Sequence, residues 1–200
     1  FVSIGSHTGQ WLEKEINEST NKKILLIEPV NYNLEQLKKR TEANDKIIIE
    51  EVAIGREDKI VPFYFVKKSS LSKLKKHWAS GIGSFNKEHI FSHRTKRFDI
   101  KEDDIDKINV KCLSFNSLVE KYKIKSIDKL MLDVEGAEYE ILKSINYDNI
   151  LIKNIIFEKK HFDGPFKEGD KLNEIKHLLT KKNYNLIDLD EENIQAEKKL

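Results

Sequence analysis

The most chemically suggestive run in the chain is DKLMLDVEGAE, residues 128–138, where an apolar stretch stops on Asp133 and is followed by Glu135 and Glu138 around Gly136. An apolar strand ending this way delivers carboxylates to its carboxyl end, the edge at which open parallel sheets take their ligands. Asp133 and Glu135 can orient an acceptor or take its proton there. With Glu158, which ends the later run IIFE, they offer three hard oxygen donors that suit Mg²⁺. The spacing alone does not require a metal. Glu135 and Glu138 also have a plainer reading, as acids that favour the start of the following helix through its dipole. His161, just beyond Glu158, is a rival candidate base, against the plainer reading of a surface histidine in a loop.

A second constellation opens the chain. In FVSIGSHTGQ, Gly5 and Gly9 bracket Ser6 in a turn between a strand and a helix, where backbone without Cβ lets a ligand approach. Helix N-terminal N–H groups can then meet a carboxylate or phosphate. Glu28 ends the next strand, followed by Pro29, and an ionised carboxylate there can accept both hydroxyls of a ribose. Turn and acid together point to a nucleoside-containing cofactor. The NAD fingerprint also pairs a glycine turn with an acid, but it needs G-x-G-x-x-G for its pyrophosphate, and here Ser6-His7-Thr8 separates the glycines.

The elements that must position these groups alternate between strand and helix, the pattern of a parallel sheet covered by helices. Strands are expected over Phe1 to Ile4, Lys23 to Glu28 and Ile47 to Ile54, with helices from Gln10 to Glu18 and from a capping Asn31 onward. Residues 60–66 (IVPFYFV) form an added strand that Pro62 assigns to an edge. Residues 67–104 show no period, and such a long loop in a compact domain is often functional. Beyond it come strands at Asn109 to Leu113, Lys129 to Asp133 and Asn154 to Glu158, and helices near Phe115 to Tyr122, Ala137 to Ile145 and 170–182. Tyr184 to Leu189 and Asn193 to Glu197 close the chain as a hairpin.

Two hundred residues suit one domain, 1–200, large enough to bury a core. A net charge of +2 lacks the basic excess of a dedicated nucleic-acid binder. The single cysteine, Cys112, precludes an internal disulfide, no apolar run is long enough to span a bilayer, and no signal-peptide pattern opens the chain; a cytoplasmic location is the expectation. Residue 1 is Phe and falls inside a strand, so an upstream segment is expected to precede it.

The segments FVSIGSHTGQ, LLIEP, EVAIG, IDKLMLDVEGAEYEILK, IIFEKKH and YNLIDLDEENIQAEKK, in this order, resemble the FkbM family of methyltransferases over nearly the whole chain, with LDVEGAE the distinctive part. The resemblance implies an α/β, Rossmann-like class I S-adenosylmethionine (SAM)-dependent methyltransferase fold: a seven-stranded, mostly parallel sheet with an antiparallel last strand and helices on both faces. It implies O-methylation of a sugar or another polyhydroxylated small molecule; charge and the lack of a long apolar run add the expectation of neither nucleic acid nor membrane as partner. Cofactor residues carried over are Gly5, Ser6, Gly9, Glu28 and Pro29, with Ala53 and Ile54 beside the adenine. The family commonly has an acid where this chain has Ser3.

The 67–104 segment is expected to cover the acceptor. Trp78 and Phe85 can stack on a ring, while His89, His93, Arg94, Arg97 and, from the sheet edge, Glu158 can meet hydroxyls. Two rival functions remain open at this stage, a noncatalytic binding module on the same fold and an NAD enzyme.

Overall fold

The computed structural model describes residues 1–19 and 22–199. β1 (Val2–Ile4) leads through a glycine turn and a 3₁₀ turn into α1 (Glu13–Glu18), then β2 (Ile24–Ile27), α2 (Asn31–Thr41) and β3 (Ile47–Glu50). All four β2 residues are apolar and buried, as a central strand packed on both faces requires. Leu34 and Leu37 give α2 its buried stripe, and Lys38, Lys39 and Arg40 meet the negative end of its dipole. Asn31 is the first helical residue rather than the cap: Val30 holds that position, and its amide donates to Glu28 Oε1 at 3.0 Å.

The expected third strand is two strands. After β3 the chain turns at Glu51 and Val52, and β4 (Ala53–Gly55) leaves the main sheet to pair with β6 in a second, three-stranded sheet. Glu50 and Glu51 mark the break in the apolar run. β5 (Lys59–Val66) lies at an edge of this small sheet, where Pro62 is tolerated.

Residues 67–104 are an ordered cap and not a loop. They contain α3 (Lys68–Leu74) and α4 (Lys87–Ser92), around a small core of Leu74, Ala79, Ile82, Ile90, Phe98 and Ile100. Asp104 ties its base together, accepting from Ser70 Oγ at 2.8 Å, from Lys73 Nζ at 2.9 Å and from the Lys101 amide at 3.0 Å.

β6 (Ile105–Ser114) is twice the expected length, and α5 (Phe115–Lys121) follows it. Then come β7 (Ser126–Leu132), α6 (Glu138–Ser144), β8 (Leu151–Glu158), α7 (Asp170–Lys181), β9 (Tyr184–Asp188) and β10 (Asn193–Lys198). The main sheet runs β3-β2-β1-β7-β8-β10-β9, with β10 antiparallel to β8. This is the seven-stranded, mostly parallel arrangement of class I SAM-dependent methyltransferases. Its faces separate by strand alternation: Val2, Ile4, Leu130 and Leu132 pack with α5, α6 and α7, whereas Phe1, Ile24 and Leu26 pack with Ile16 of α1 and Leu37 of α2. Among the described residues no helix is long and apolar enough to cross a membrane.

Candidate active site

A cavity of about 660 Å³ opens where β1, β2 and β7 end. Its floor is the turn after β1, Glu28 to Val30 after β2, Val52 to Ile54, and Asp133 to Glu135 after β7; the cap supplies Trp78, Ser80 to Gly83, Phe85 and Thr95. The volume suits a cofactor-sized ligand, since such pockets run roughly 300–1,000 Å³.

Of the residues expected to hold the cofactor, Gly5, Ser6, Glu28, Pro29, Ala53 and Ile54 line the cavity, and Gly9 does not. Both glycines are fixed by packing. A Cβ on Gly5, at φ +81°, would sit 1.8 Å from the Asp133 carbonyl oxygen; one on Gly9, at φ +74°, would meet Leu37 Cδ1 at 2.6 Å. The Ser6 hydroxyl stitches the turn to its neighbours, donating to the Ser3 carbonyl at 3.1 Å and accepting from the Ile27 amide at 3.0 Å. Ser3 itself lines the cavity and is buried.

Glu28 is buried and accepts from the His7 amide at 2.9 Å through Oε2, and from Val30 and the Asn33 side chain through Oε1. Oε2 therefore keeps acceptor capacity. Burial pushes the Glu28 pKa up to about 7, with the hydrogen bonds opposing it. His7, beside it, is lowered to about 4 by burial and is neutral at pH 7; its Nε2 lies 2.7 Å from Ser80 Oγ of the cap.

The acids after β7 divide by environment. Glu138 is fully buried and accepts from the Val134 amide at 2.8 Å and the Gly136 amide at 2.9 Å, so it braces the turn rather than facing a ligand. Burial raises its pKa to about 8. Within that turn Glu135 has φ +52° and Gly136 φ +101°. The unusual backbone at Glu135 aims its carboxylate at three imidazoles. His89 Nε2 lies 2.7 Å from Glu135 Oε2, His161 Nε2 3.5 Å and His93 Nε2 3.6 Å. Burial alone would raise the Glu135 pKa, but the His89 and His93 contacts hold it below the usual range. Asp133 opens onto the cavity and makes no side-chain hydrogen bond among the described residues. Desolvation by the cleft walls, then the Glu135 charge, raise its pKa.

Several expectations need correction. His161 does not line the cavity and is not arranged as a base: its Nδ1 accepts from the Phe166 amide at 3.1 Å, which places the neutral ring's proton on Nε2. Burial also lowers its pKa to about 3. His89 and Glu158 stand behind the cavity wall instead of facing an acceptor; Glu158 is buried and paired with Lys160 at 2.6 Å. Arg94 donates to the Ile100 carbonyl within the cap, and Arg97 is exposed. Trp78, Phe85 and His93 do line the cavity. Among the described residues two groups of side chains are spaced so that they could hold a cation: Asp133, Glu135 and Glu158, and also His89, His93, Glu135 and His161.

Sequence reasoning missed Trp11, Ser80, Lys160 and Phe166, all in the cavity wall. Trp11 is 70% exposed, and its position two residues after Gly9 was the signal that could have placed it at the rim. Ser80 and Phe166 carried none.

A seven-stranded sheet in this order, with a cavity at its carboxyl edge framed by the glycine turn, Glu28 and Asp133, defines a class I methyltransferase-type domain. The family model described as methyltransferase FkbM domain matches residues 3–186, and the chain belongs to that family. Among solved structures it is similar to the methyltransferase FkbM of Methylobacillus flagellatus KT, with TM-score 0.56 at 13% identity over 98% of this chain and 42% of that one. It is also similar to precorrin-6y C5,15-methyltransferase of Geobacter metallireducens GS-15, with TM-score 0.48 at 10% identity over 99% of this chain and 78% of that one. At 13% identity the likeness to the FkbM structure is one of fold alone. The chain spans 42% of the length of the FkbM structure. No curated protein matches the sequence.

Proposed function

We propose that this domain binds SAM in the cavity and transfers its methyl group to a hydroxyl of a polyhydroxylated small molecule, a carbohydrate being the class that fits best. The observation that carries the reading is the convergence of Gly5, Ser6, Glu28, Ala53, Ile54 and Asp133 on one cavity, in a chain of the FkbM family. The residues present fit the cofactor. The free acceptor capacity of Glu28 Oε2 suits a ribose hydroxyl, and the apolar wall at Val52 and Ile54 suits an adenine.

SAM, when bound, supplies a methyl group activated by sulfonium. The chain's own residues then align the acceptor and exclude water. Trp78 and Phe85 close the cavity from the cap, where their rings can lie on a sugar face. Asp133 takes the acceptor's proton: it lines the cavity with no side-chain hydrogen bond among the described residues, whereas Glu28 is held by backbone amides, Glu135 is engaged by His89 and Glu158 by Lys160.

Calorimetric titration tests the cofactor. SAM should bind saturably and NADH should not, and Glu28→Ala should weaken SAM by roughly 1.5–3 kcal/mol, as expected for hydrogen bonds to a charged group. Unchanged affinity in a folded variant removes Glu28 from the site. With labelled SAM and a panel of sugar acceptors, Asp133→Asn should keep SAM affinity and lose about 10²-fold or more in transfer rate. Transfer at the parental rate would remove Asp133 from the catalytic role.

A further inference from the structure

Outside the cofactor-facing floor, the most unusual grouping is the meeting of three imidazoles at one carboxylate oxygen. His89 lies on α4 and His93 caps its C-terminus, so the two rings sit four residues apart on one face of a helix, the spacing at which helical histidines bind a common ion. Their Nε2 atoms are 3.4 Å apart. Glu135 arrives from the turn after β7 and His161 from the segment after β8, so three separate elements are brought to one point. The turn that presents Glu135 is held from both sides, by Glu138 on the Val134 and Gly136 amides and by Ser84 Oγ donating to the Glu135 carbonyl at 3.0 Å.

Hydrogen bonding inside the protein does not account for the group. One Glu135 oxygen satisfies His89 at 2.7 Å, but His93 and His161 lie at 3.6 and 3.5 Å, beyond a good hydrogen bond. His161 Nε2 is buried, in a side chain 1% exposed, and has no hydrogen-bond partner among the described residues; the facing Glu158 Oε2, 3.7 Å away, has none there either. Buried polar atoms left so are rare and call for a ligand or water. The spacings suit an ion. Donors about 2.0–2.1 Å from a tetrahedral centre lie about 3.3 Å from one another, and the His89–His93 and His93–Glu135 separations are 3.4 and 3.6 Å. Only His89–Glu135 is shorter.

We propose that His89, His93 and Glu135 bind a divalent transition-metal ion of the zinc class at the wall of the cavity, with the His161 Nε2–H facing the ion's remaining positions. Two imidazoles and a carboxylate suit zinc or iron, whereas magnesium takes oxygen ligands. The all-oxygen group of Asp133, Glu135 and Glu158 is the weaker choice because Lys160 already pairs with Glu158. His161 is assigned as a donor because the Phe166 amide occupies its Nδ1. His93 and Glu135 line the cavity, so an oxygen of a bound molecule can reach the ion. Ion binding does not depend on the methyl-transfer reading, and it is measured without SAM.

The test is calorimetric titration of the chelator-treated, dialysed chain with Zn²⁺, with Mg²⁺ as counter-probe and Co²⁺ to report imidazole ligation through its visible spectrum. The expected result is one equivalent of Zn²⁺ at micromolar affinity or tighter, with no saturable Mg²⁺ binding. His93→Gln and Glu135→Gln should each weaken Zn²⁺ by at least about 100-fold, more than the loss of an outer partner costs. His77→Ala and His177→Ala should change nothing. An unaltered circular dichroism spectrum verifies that His93→Gln keeps the fold. The absence of Zn²⁺ binding by the parent chain, full-affinity binding by folded His93→Gln, or Mg²⁺ binding as tight as Zn²⁺ would each overturn the proposal.

Discussion

The floor of the cavity and its cap are built on different principles. The floor is made by strands buried on both faces and held by backbone pairing. Gly5 lies against the Asp133 carbonyl, and β1 is paired on both sides, with β2 and β7. The cap has a core of six buried apolar residues of its own and is fastened to the floor by a few polar links: His7 to Ser80, Asn33 to the Ser80 carbonyl, Ser84 to the Glu135 carbonyl and His89 to the Glu135 carboxylate. A floor set by backbone proximity should fail as a whole when one atom is added. A cap set by individual hydrogen bonds should loosen locally, one bond at a time.

Glycine replacement is the harshest way to break that contrast. Gly5→Ala needs a Cβ 1.8 Å from a backbone oxygen at φ +81°, so relief requires β1 and β7 to part. The expected loss is about 3–5 kcal/mol, at the top of the range for single substitutions. Gly81→Ala in the cap meets the Trp78 carbonyl at 3.3 Å in open backbone geometry, and the loss should stay under about 1 kcal/mol. Denaturant unfolding of both variants compares them directly; equal midpoints would mean that the floor is not the rigid partner.

Acidity separates the same two regions with opposite sign. Burial lifts Glu28 to about 7 and Glu138 to about 8 in the floor, from an ordinary 4.5. Between pH 4.5 and those values the folded chain holds protons that the unfolded chain has released, so stability from these groups is lost as pH rises. In the cap, burial opposes but Lys73, the Lys101 amide and Ser70 outweigh it, so the Asp104 pKa is lowered from 3.8. Its contribution is present above pH 3.8 and is lost as pH falls through the lowered value. Hydrogen exchange should therefore show floor amides loosening from pH 5 to 8 after correction for the intrinsic rate. Cap amides around α3 should loosen first below pH 4. Glu138→Gln should flatten the floor's trend, and a trend unchanged in that variant would assign it to other groups.

The division also decides what the sequence shows. The floor was legible because its strands are short apolar runs ending in chemistry-bearing residues. Gly5, Glu28 and Asp133 line the cavity where β1, β2 and β7 end, whereas Ala53 and Ile54 line it from β4 of the small sheet and not from the third main-sheet strand expected. Ile47 to Ile54 misled because two strands of different sheets follow one another with only Glu50 and Glu51 between the apolar stretches. The cap was illegible because its core residues, Leu74, Ala79, Ile82, Ile90, Phe98 and Ile100, are spaced at neither 2 nor 3.6 residues, and long-range contacts fix them. His89 and His161 were visible as residue types, but their meeting at Glu135 depends on a left-handed backbone at a non-glycine position, for which no sequence signal exists.

The smallest expected effect is the most discriminating, since it asks whether the cap can open without the floor. Ser80→Ala deletes the hydroxyl 2.7 Å from His7 Nε2 and leaves the Ser80 carbonyl to accept from Asn33 at 2.9 Å. Because burial keeps His7 neutral, the lost bond is uncharged, and its net worth is about 0.5–1.5 kcal/mol. If the cap opens as a separate unit, that energy appears in local opening alone: amides from Gly81 to Asn86 should exchange roughly 3–10-fold faster, while the global midpoint moves by less than its usual scatter. SAM affinity would fall only as far as the closed cap contributes to it. An unchanged exchange rate in the cap, or a midpoint lowered together with faster exchange in β1 and β7, would show that cap and floor open as one body.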